Sequence, residues 1–311
     1  MNKTLSLLTI SIVAITLTAC AGGGGGGGGS SSSNGNVTTT ATGFSGQANW
    51  TSNGSGTVTN VGTYDQSTSG LTYTETVNSS NIVQSNSFTS ALGTVISFDR
   101  AQGDTIGTIV TGPLANKSYA ELKSNGNDLA IISPRSMNGW SYQSYGIWIS
   151  NLNSSSGTVG GGSVGTPDGS LTTGVAIPTT GTANFSGTSA GVYVNSSGTP
   201  FLTGSSMSAS VNFATRSLGF ATTGTQILLS NGSWQSTSGL NTTGTLSYAS
   251  ATNLVTGTNL ATAGGGGVAV MTGGTVTGKF YGPAANELGG TFSVRAGAGV
   301  ESYAGAFGSK R

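Results

Sequence analysis

Apolar and polar residues alternate along much of this chain with a period of two. The cleanest string places Met207, Ala209, Val211 and Phe213 between Ser206, Ser208, Ser210 and Asn212. That spacing predicts a strand with one face in a core and the other in water. Shorter strings predict strands at residues 57–59, 71–73, 82–83, 94–98 and 105–110. Two more, at residues 117–122 and 128–132, flank Asn125-Gly126. Both turn residues tolerate positive φ, so a type I′ hairpin is expected there. Val192 with Val194, Leu218 with Phe220, and residues 227–230, 245–248 and 268–271 continue the meander.

The last stretch, residues 275–311, predicts three strands and two turns. Val276, Gly278 and Phe280 form an apolar face, and Thr275, Thr277 and Lys279 a wet one. Gly282-Pro283 ends the strand, because proline has no N–H for a ladder. Pro283 is suited to open a single helical turn over Ala284, Ala285, Asn286 and Glu287 before Gly289-Gly290 reverses the chain. Glu287 is then expected to accept N–H groups of that turn. Phe292 and Val294, then Tyr303, Gly305 and Phe307, complete the alternation, and the last strand is expected to close the sheet. The second half of the chain thus holds about eight strands, which suits a small closed barrel.

The run F-Y-G-P-x-A-x-E-x-G-G-T-F from Phe280 to Phe292, followed by G-A-F-G-x-K-R from Gly305 to Arg311, resembles the signature of transferrin-binding-protein-like surface lipoproteins. The resemblance implies an all-β fold: a C-terminal eight-stranded antiparallel barrel preceded by a smaller handle-like β domain. It makes Gly282, Pro283, Glu287, Gly289, Gly290, Gly305 and Phe307 structural signature residues. It also implies a surface protein that binds an extracellular partner, a protein or a haem-type ligand, for iron or haem acquisition. The alternative is a structural or adhesive surface lipoprotein with no nutrient ligand.

The other end of the chain bears on the cell address. Lys3 precedes an apolar run at residues 5–17, too short to span a bilayer, and Leu17-Thr18-Ala19-Cys20 resembles a lipobox cleaved before Cys20. Cys20 is the only cysteine, so a lipidated Cys20 leaves no thiol for a disulfide or a soft metal site. Palmitate-type chains contribute about 0.8 kcal/mol per buried CH₂, and two or three anchor firmly. Ala21 follows, with no aspartate to hold the protein at the inner membrane, which implies an outer-membrane address. Residues 22–29 are all glycine and residues 30–36 remain polar, a flexible tether. The expected organisation is a signal peptide at residues 1–19, lipidated tether at 20–36, N-terminal β domain at 37–176 and barrel at 177–311.

Residues 151–178 carry few large apolar side chains, with a turn at Pro167-Asp168-Gly169, and read as the inter-domain connection. Gly43-Phe44-Ser45-Gly46 and residues 181–187 (Gly-Thr-Ala-Asn-Phe-Ser-Gly) form a faint repeat that opens each domain. In residues 140–149, Tyr142, Gly146 and Trp148 share one parity, and Tyr145, Ile147 and Ile149 the other. Such a strand is covered on both faces. The alternative is a binding platform of Trp140, Tyr142, Tyr145 and Trp148. Eight of the 19 charges lie between Asp99 and Arg135, which marks either exposed loops or a partner-facing region.

Composition removes several chemistries. Charged residues make up 6 % of the chain and the net charge is +1, which argues against a nucleic-acid partner. The chain has no histidine, so Ser-His-Asp and Cys-His catalysis are excluded. Asp65, Glu75, Asp99, Asp104, Asp128, Asp168, Glu287 and Glu301 are scattered, and Asp99 with Asp104 makes an incomplete calcium loop. No enzymatic activity, catalytic residue, metal or cofactor is expected.

Overall fold

The computed structural model describes residues 35–53, 56–165, 177–250, 252–297 and 299–311. The signal sequence, Cys20, nearly all of the tether and the turn at residues 167–169 lie outside the described residues. Within them the chain forms two antiparallel sheets.

The first sheet contains β1 (Val37–Ser52), β2 (Val58–Val61), β3 (Asp65–Gln66), β4 (Leu71–Val77), β5 (Val83–Thr89), β6 (Val95–Asp99), β7 (Thr105–Thr108), β8 (Tyr119–Leu122), β9 (Leu129–Ser133), β10 (Gln143–Ile149) and β11 (Ser156–Gly165), with helix α1 (Arg135–Asn138) before β10. The second contains β12 (Thr182–Val194), β13 (Pro200–Asn212), β14 (Ser217–Leu228), β15 (Trp234–Ser236), β16 (Thr242–Tyr248), β17 (Leu254–Thr262), β18 (Gly274–Tyr281), β19 (Glu287–Arg295) and β20 (Ser302–Lys310).

The second sheet closes on itself. β13 pairs with both β12 and β14, so every strand but the short β15 belongs to a ring of eight. β20 lies between β12 and β19 and joins the two ends of the domain. Inward side chains fill the ring: Phe220 meets Phe307 at 5.0 Å between centroids, and Phe292 meets Tyr303 at 5.1 Å.

The first sheet curls into a nearly closed barrel in the order β6-β5-β4-β1-β11-β10-β9-β8-β7. Its interior holds Leu71, Phe88, Phe98, Ile106, Ile132 and Trp148. Among the described residues β6 and β7 do not pair. At their corner, Asp104 N–H donates to Asp99 O at 3.2 Å. Arg100 donates to Val83 O at 2.7 Å and also to Ile106 O, while Lys123 Nζ donates to Ser97 O at 2.8 Å. Cationic side chains thus take up carbonyls that a ladder would otherwise satisfy.

Three expectations change. The stretch read as a connection contains β11, a strand in the middle of the first sheet. It lacks large side chains because its neighbours fill the space. A Cβ at Gly157 would overlap Trp50, at Gly160 Trp148, and at Gly162 Leu71. The Asn125-Gly126 turn is not type I′. Gly126 has φ +71°, but Asn125 is not left-handed; four residues separate Lys123 N–H from Asp128 O (2.9 Å), and Asn125 Oδ1 accepts from Asn127 N–H (2.9 Å). The faint repeat does not map one sheet onto the other. Phe185 points into the closed barrel, whereas Phe44 lies outside its own sheet's core, beneath Lys279 of the barrel.

Candidate functional site

The signature strands β18, β19 and β20 carry their polar residues on the barrel's outer face, and most of that face is covered. Thr291 is fully buried and Lys279 is 9 % exposed. The expected wet face of β18 is therefore an interface, and what covers it is the first sheet.

Glu287 is the centre of this contact. Its carboxylate accepts the N–H groups of Ser141 (2.6 Å), Tyr142 (3.0 Å) and Gln143 (3.1 Å), which lead into β10. These are N–H groups of a turn, but of the other domain. Gln143 answers with its side chain, donating Nε2 to Leu288 O (3.0 Å) and Ser309 O (2.9 Å). Burial pushes the Glu287 carboxyl above the usual range, and the three N–H donors and Lys310 pull it back.

Around this latch, side chains of the first sheet lie so close to the barrel backbone that a Cβ would force a shift. The place of a Cβ is taken at Gly289 by Gln143 and Ser163, at Gly282 by the Tyr142 ring, and at Gly308 by Trp140 and Tyr145. Gly290 and Gly305 serve the barrel itself, since a Cβ there would overlap Phe307 and Phe292. The segment after Pro283 is not a helical turn. Gly282, Ala284 and Ala285 all have positive φ (73°, 57° and 59°), and Ala285 N–H donates to Gly282 O at 3.3 Å. Tyr281 pairs with Glu287, so the chain must reverse within a hairpin, and left-handed residues provide that bend.

Further bonds extend the contact. Ser163 Oγ meets Tyr281 Oη at 2.7 Å, Tyr145 Oη donates to Thr188 Oγ1 at 2.9 Å, and Val58 N–H donates to Gly198 O at 2.8 Å. Lys279 Nζ donates to Thr68 O at 2.6 Å and sits 5.4 Å from the Phe44 ring centre. Burial lowers the affinity of that amine for its proton. Beneath the polar bonds, Trp50, Ile147, Ile149 and Val159 pack with Val192, Val194, Leu202 and Ala306 in one apolar cluster. The two sheets are thereby joined by a core of their own.

The aromatic run belongs to packing. Trp140 and Tyr145 are buried between the sheets with centroids 5.9 Å apart, and Trp148 lies inside the first sheet, 5.9 Å from Phe88. Of the charges between Asp99 and Arg135, Arg100 and Lys123 are tied to carbonyls. Asp104 accepts from Lys123 at 2.9 Å; Lys117 and Arg135 are exposed, and Arg135 Nη1 donates to Ser141 O at 3.2 Å. A cavity of about 150 Å³ opens where Ile109, Ala120 and Ile131 face Leu202, Leu228 and Trp234. It is below the roughly 300–1,000 Å³ of ordinary ligand sites.

Among the described residues, no group of three His, Cys, Asp or Glu is placed to hold a metal ion. No described helix is long and apolar enough to cross a membrane, which says nothing of strands. Sequence reasoning missed Gln143 as the partner of the signature. The available signal was a long amide at the head of a strand whose residues from Tyr145 onward are apolar on both faces.

Comparison with known proteins gives the geometry a family context. Residues 177–311 match the family model described as C-lobe and N-lobe beta barrels of Tf-binding protein B. Similar solved structures include a transferrin-binding protein B mutant from Haemophilus parasuis Hp5 (13 % identity, TM-score 0.43, covering 77 % of this chain and 51 % of that one). Another is the isotype 1 transferrin-binding protein B from serogroup B Neisseria meningitidis (14 %, 0.38, 88 % and 76 %). A third is described as a surface lipoprotein (13 %, 0.41, 86 % and 98 %). This chain spans about half the length of the first of these. No curated protein matches it. The family-model match covers the whole closed ring, and the barrel of this chain has the transferrin-binding-protein-like fold.

Proposed function

We propose that this chain is a lipid-anchored protein of the outer cell surface that binds an extracellular protein, in the service of iron or haem acquisition. The observation that carries the reading is the match of the barrel to a family named for a transferrin binder. The lipobox ending at Cys20 and the glycine tether support the address. The latch at Glu287 supports a mechanical role for the signature, which holds two barrels as one body on the end of that tether.

We read the protein as a binder and not an enzyme. The chain has no histidine, and three of the four buried carboxylates among the described residues are occupied by structural bonds. Glu287 holds three N–H groups, Glu301 accepts Tyr193 Oη (2.7 Å) and Ala269 N–H (2.9 Å), and Asp104 accepts Asp99 N–H (2.9 Å) and Lys123. We assign the partner to the loops between Asp99 and Trp148, and within them to the exposed Lys117 and Arg135, since Trp140, Tyr145 and Trp148 are buried. Exposed charge would set orientation and on-rate.

The test is capture from extracellular fluid of the organism's habitat, with the soluble chain from residue 21 as bait. A specific retained protein, lost with Lys117→Ala/Arg135→Ala and kept with Arg216→Ala/Arg295→Ala, is the expected result. Loss only with the barrel pair would reassign the site to the barrel. A second reading is adhesion. It is favoured by the outer face of the first sheet, where Thr38, Thr40 and Thr42 pair with Thr76, Thr74 and Thr72, and these with Ser85, Ser87 and Thr89. Capture of no protein, with retention on polysaccharide beads, would favour it.

A further inference from the structure

Asn86 on β5 and Glu121 on β8 face the interior of the first sheet, 4 % and 0 % exposed. Asn86 Nδ2 donates to Glu121 Oε1. The remaining oxygen of each group, Asn86 Oδ1 and Glu121 Oε2, is buried and has no hydrogen-bond partner. An amide oxygen can only accept, and an ionised carboxylate can only accept. Two unmet acceptors in an interior built of Leu71, Phe88, Phe98 and Trp148 are costly to keep.

One proton removes both deficits. Placed on Oε2, it turns that atom into a donor, and the unmet acceptor of the same pair is Asn86 Oδ1. We propose that Glu121 is held as the neutral acid in the folded protein, joined to Asn86 by two hydrogen bonds, so that its ionisation is a pH-sensitive weakness of the first sheet. Among the described residues, the cations that act on this region are committed to other groups. Arg100 is committed to Val83 O and Ile106 O, Lys123 is paired with Asp104, and Arg135 acts on Glu75. Glu75, whose carboxylate accepts Tyr73 Oη at 2.7 Å, adds negative charge, and Tyr119 lines the same side. Burial pushes the Glu121 carboxyl from 4.5 up to about 8; the Asn86 bond pulls it down, Glu75 pushes it up, and Arg100 and Asp104 act in opposite senses.

The sign follows from linkage. The folded chain keeps a proton that the unfolded chain releases, so stability is full below pH 4.5, falls as pH rises, and levels off above about 8. Within that window the folding constant loses up to about tenfold per pH unit from this group.

Urea unfolding of the mature chain at pH 5 and pH 8 tests this, with Glu121→Gln beside the wild type. The glutamine is neutral at both pH values and can make the same two bonds. The variant should exceed the wild type's folding constant by no more than about fivefold at pH 5 and by well over tenfold at pH 8. Equal losses in both proteins would overturn the proposal. Carboxyl ¹³C NMR of the folded wild type, assigned through bonds, gives an answer even where the variant fails to fold. A Glu121 midpoint above pH 7 is expected, and a midpoint near the ordinary 4.5 would overturn it. Recovery of stability at pH 8 on adding potassium or calcium would place a metal ion between the acceptors and also overturn it.

Discussion

At the scale of single residues, Glu287 shows how local spacing can point to a role and miss its partner. Four residues after Pro283, it is positioned to hold turn N–H groups, and it does hold three. They belong to residues 141–143, and nothing in the local spacing encodes a contact that distant. Glu287→Gln keeps the shape but turns an amide donor toward at least one of these N–H groups. A loss of roughly 1–3 kcal/mol in chemical denaturation is expected. No measurable loss would show that the three bonds are dispensable. Ala284 gives the opposite test. It sits at φ +57°, a conformation that costs a non-glycine residue about 1 kcal/mol. Ala284→Gly should relieve most of that cost, less the extra freedom glycine gains when unfolded. A net rise of a few tenths of a kcal/mol up to about 1 kcal/mol in stability is expected.

Among the elements, those with clean alternation were legible, and those built from small residues were not. β13 and the three signature strands follow from period two. β1 has sixteen residues, but its first six read Val-Thr-Thr-Thr-Ala-Thr and carry no large apolar stripe. Its stability comes from ladders on both sides, with β4 and β11. β11 is legible only once Trp50, Trp148 and Leu71 are known to lie over its glycines. Closure of the barrel depends on β20, which pairs along its whole length with β12 and β19. Removing residues 305–311 leaves both neighbours with open edges and takes away Ser309 O, one acceptor for Gln143. The truncated chain is expected to lose cooperative unfolding of the barrel and to aggregate. A sharp, unshifted transition would show that the ring does not need its last strand.

For the molecule as a whole, the two sheets have separate interiors and a shared third core, so the outer face of the signature strands does more than close a barrel. In the sequence that face reads as wet because its residues are Thr, Lys and Glu, and residue type alone does not reveal that a second sheet will cover it. The anchor belongs to this scale too. Mass spectrometry of the mature N-terminus should find an acylated Cys20, and Cys20→Ser should leave the chain unprocessed or out of the membrane fraction; an unmodified cysteine would remove the surface address. The central structural claim is that the signature latches both barrels into one body. Differential scanning calorimetry of residues 35–311 tests it directly, comparing the wild type with Glu287→Ala. One transition is predicted for the wild type, and for the variant two transitions or a single one lowered by several degrees. Two independent transitions already present in the wild type, unmoved by Glu287→Ala, would contradict it.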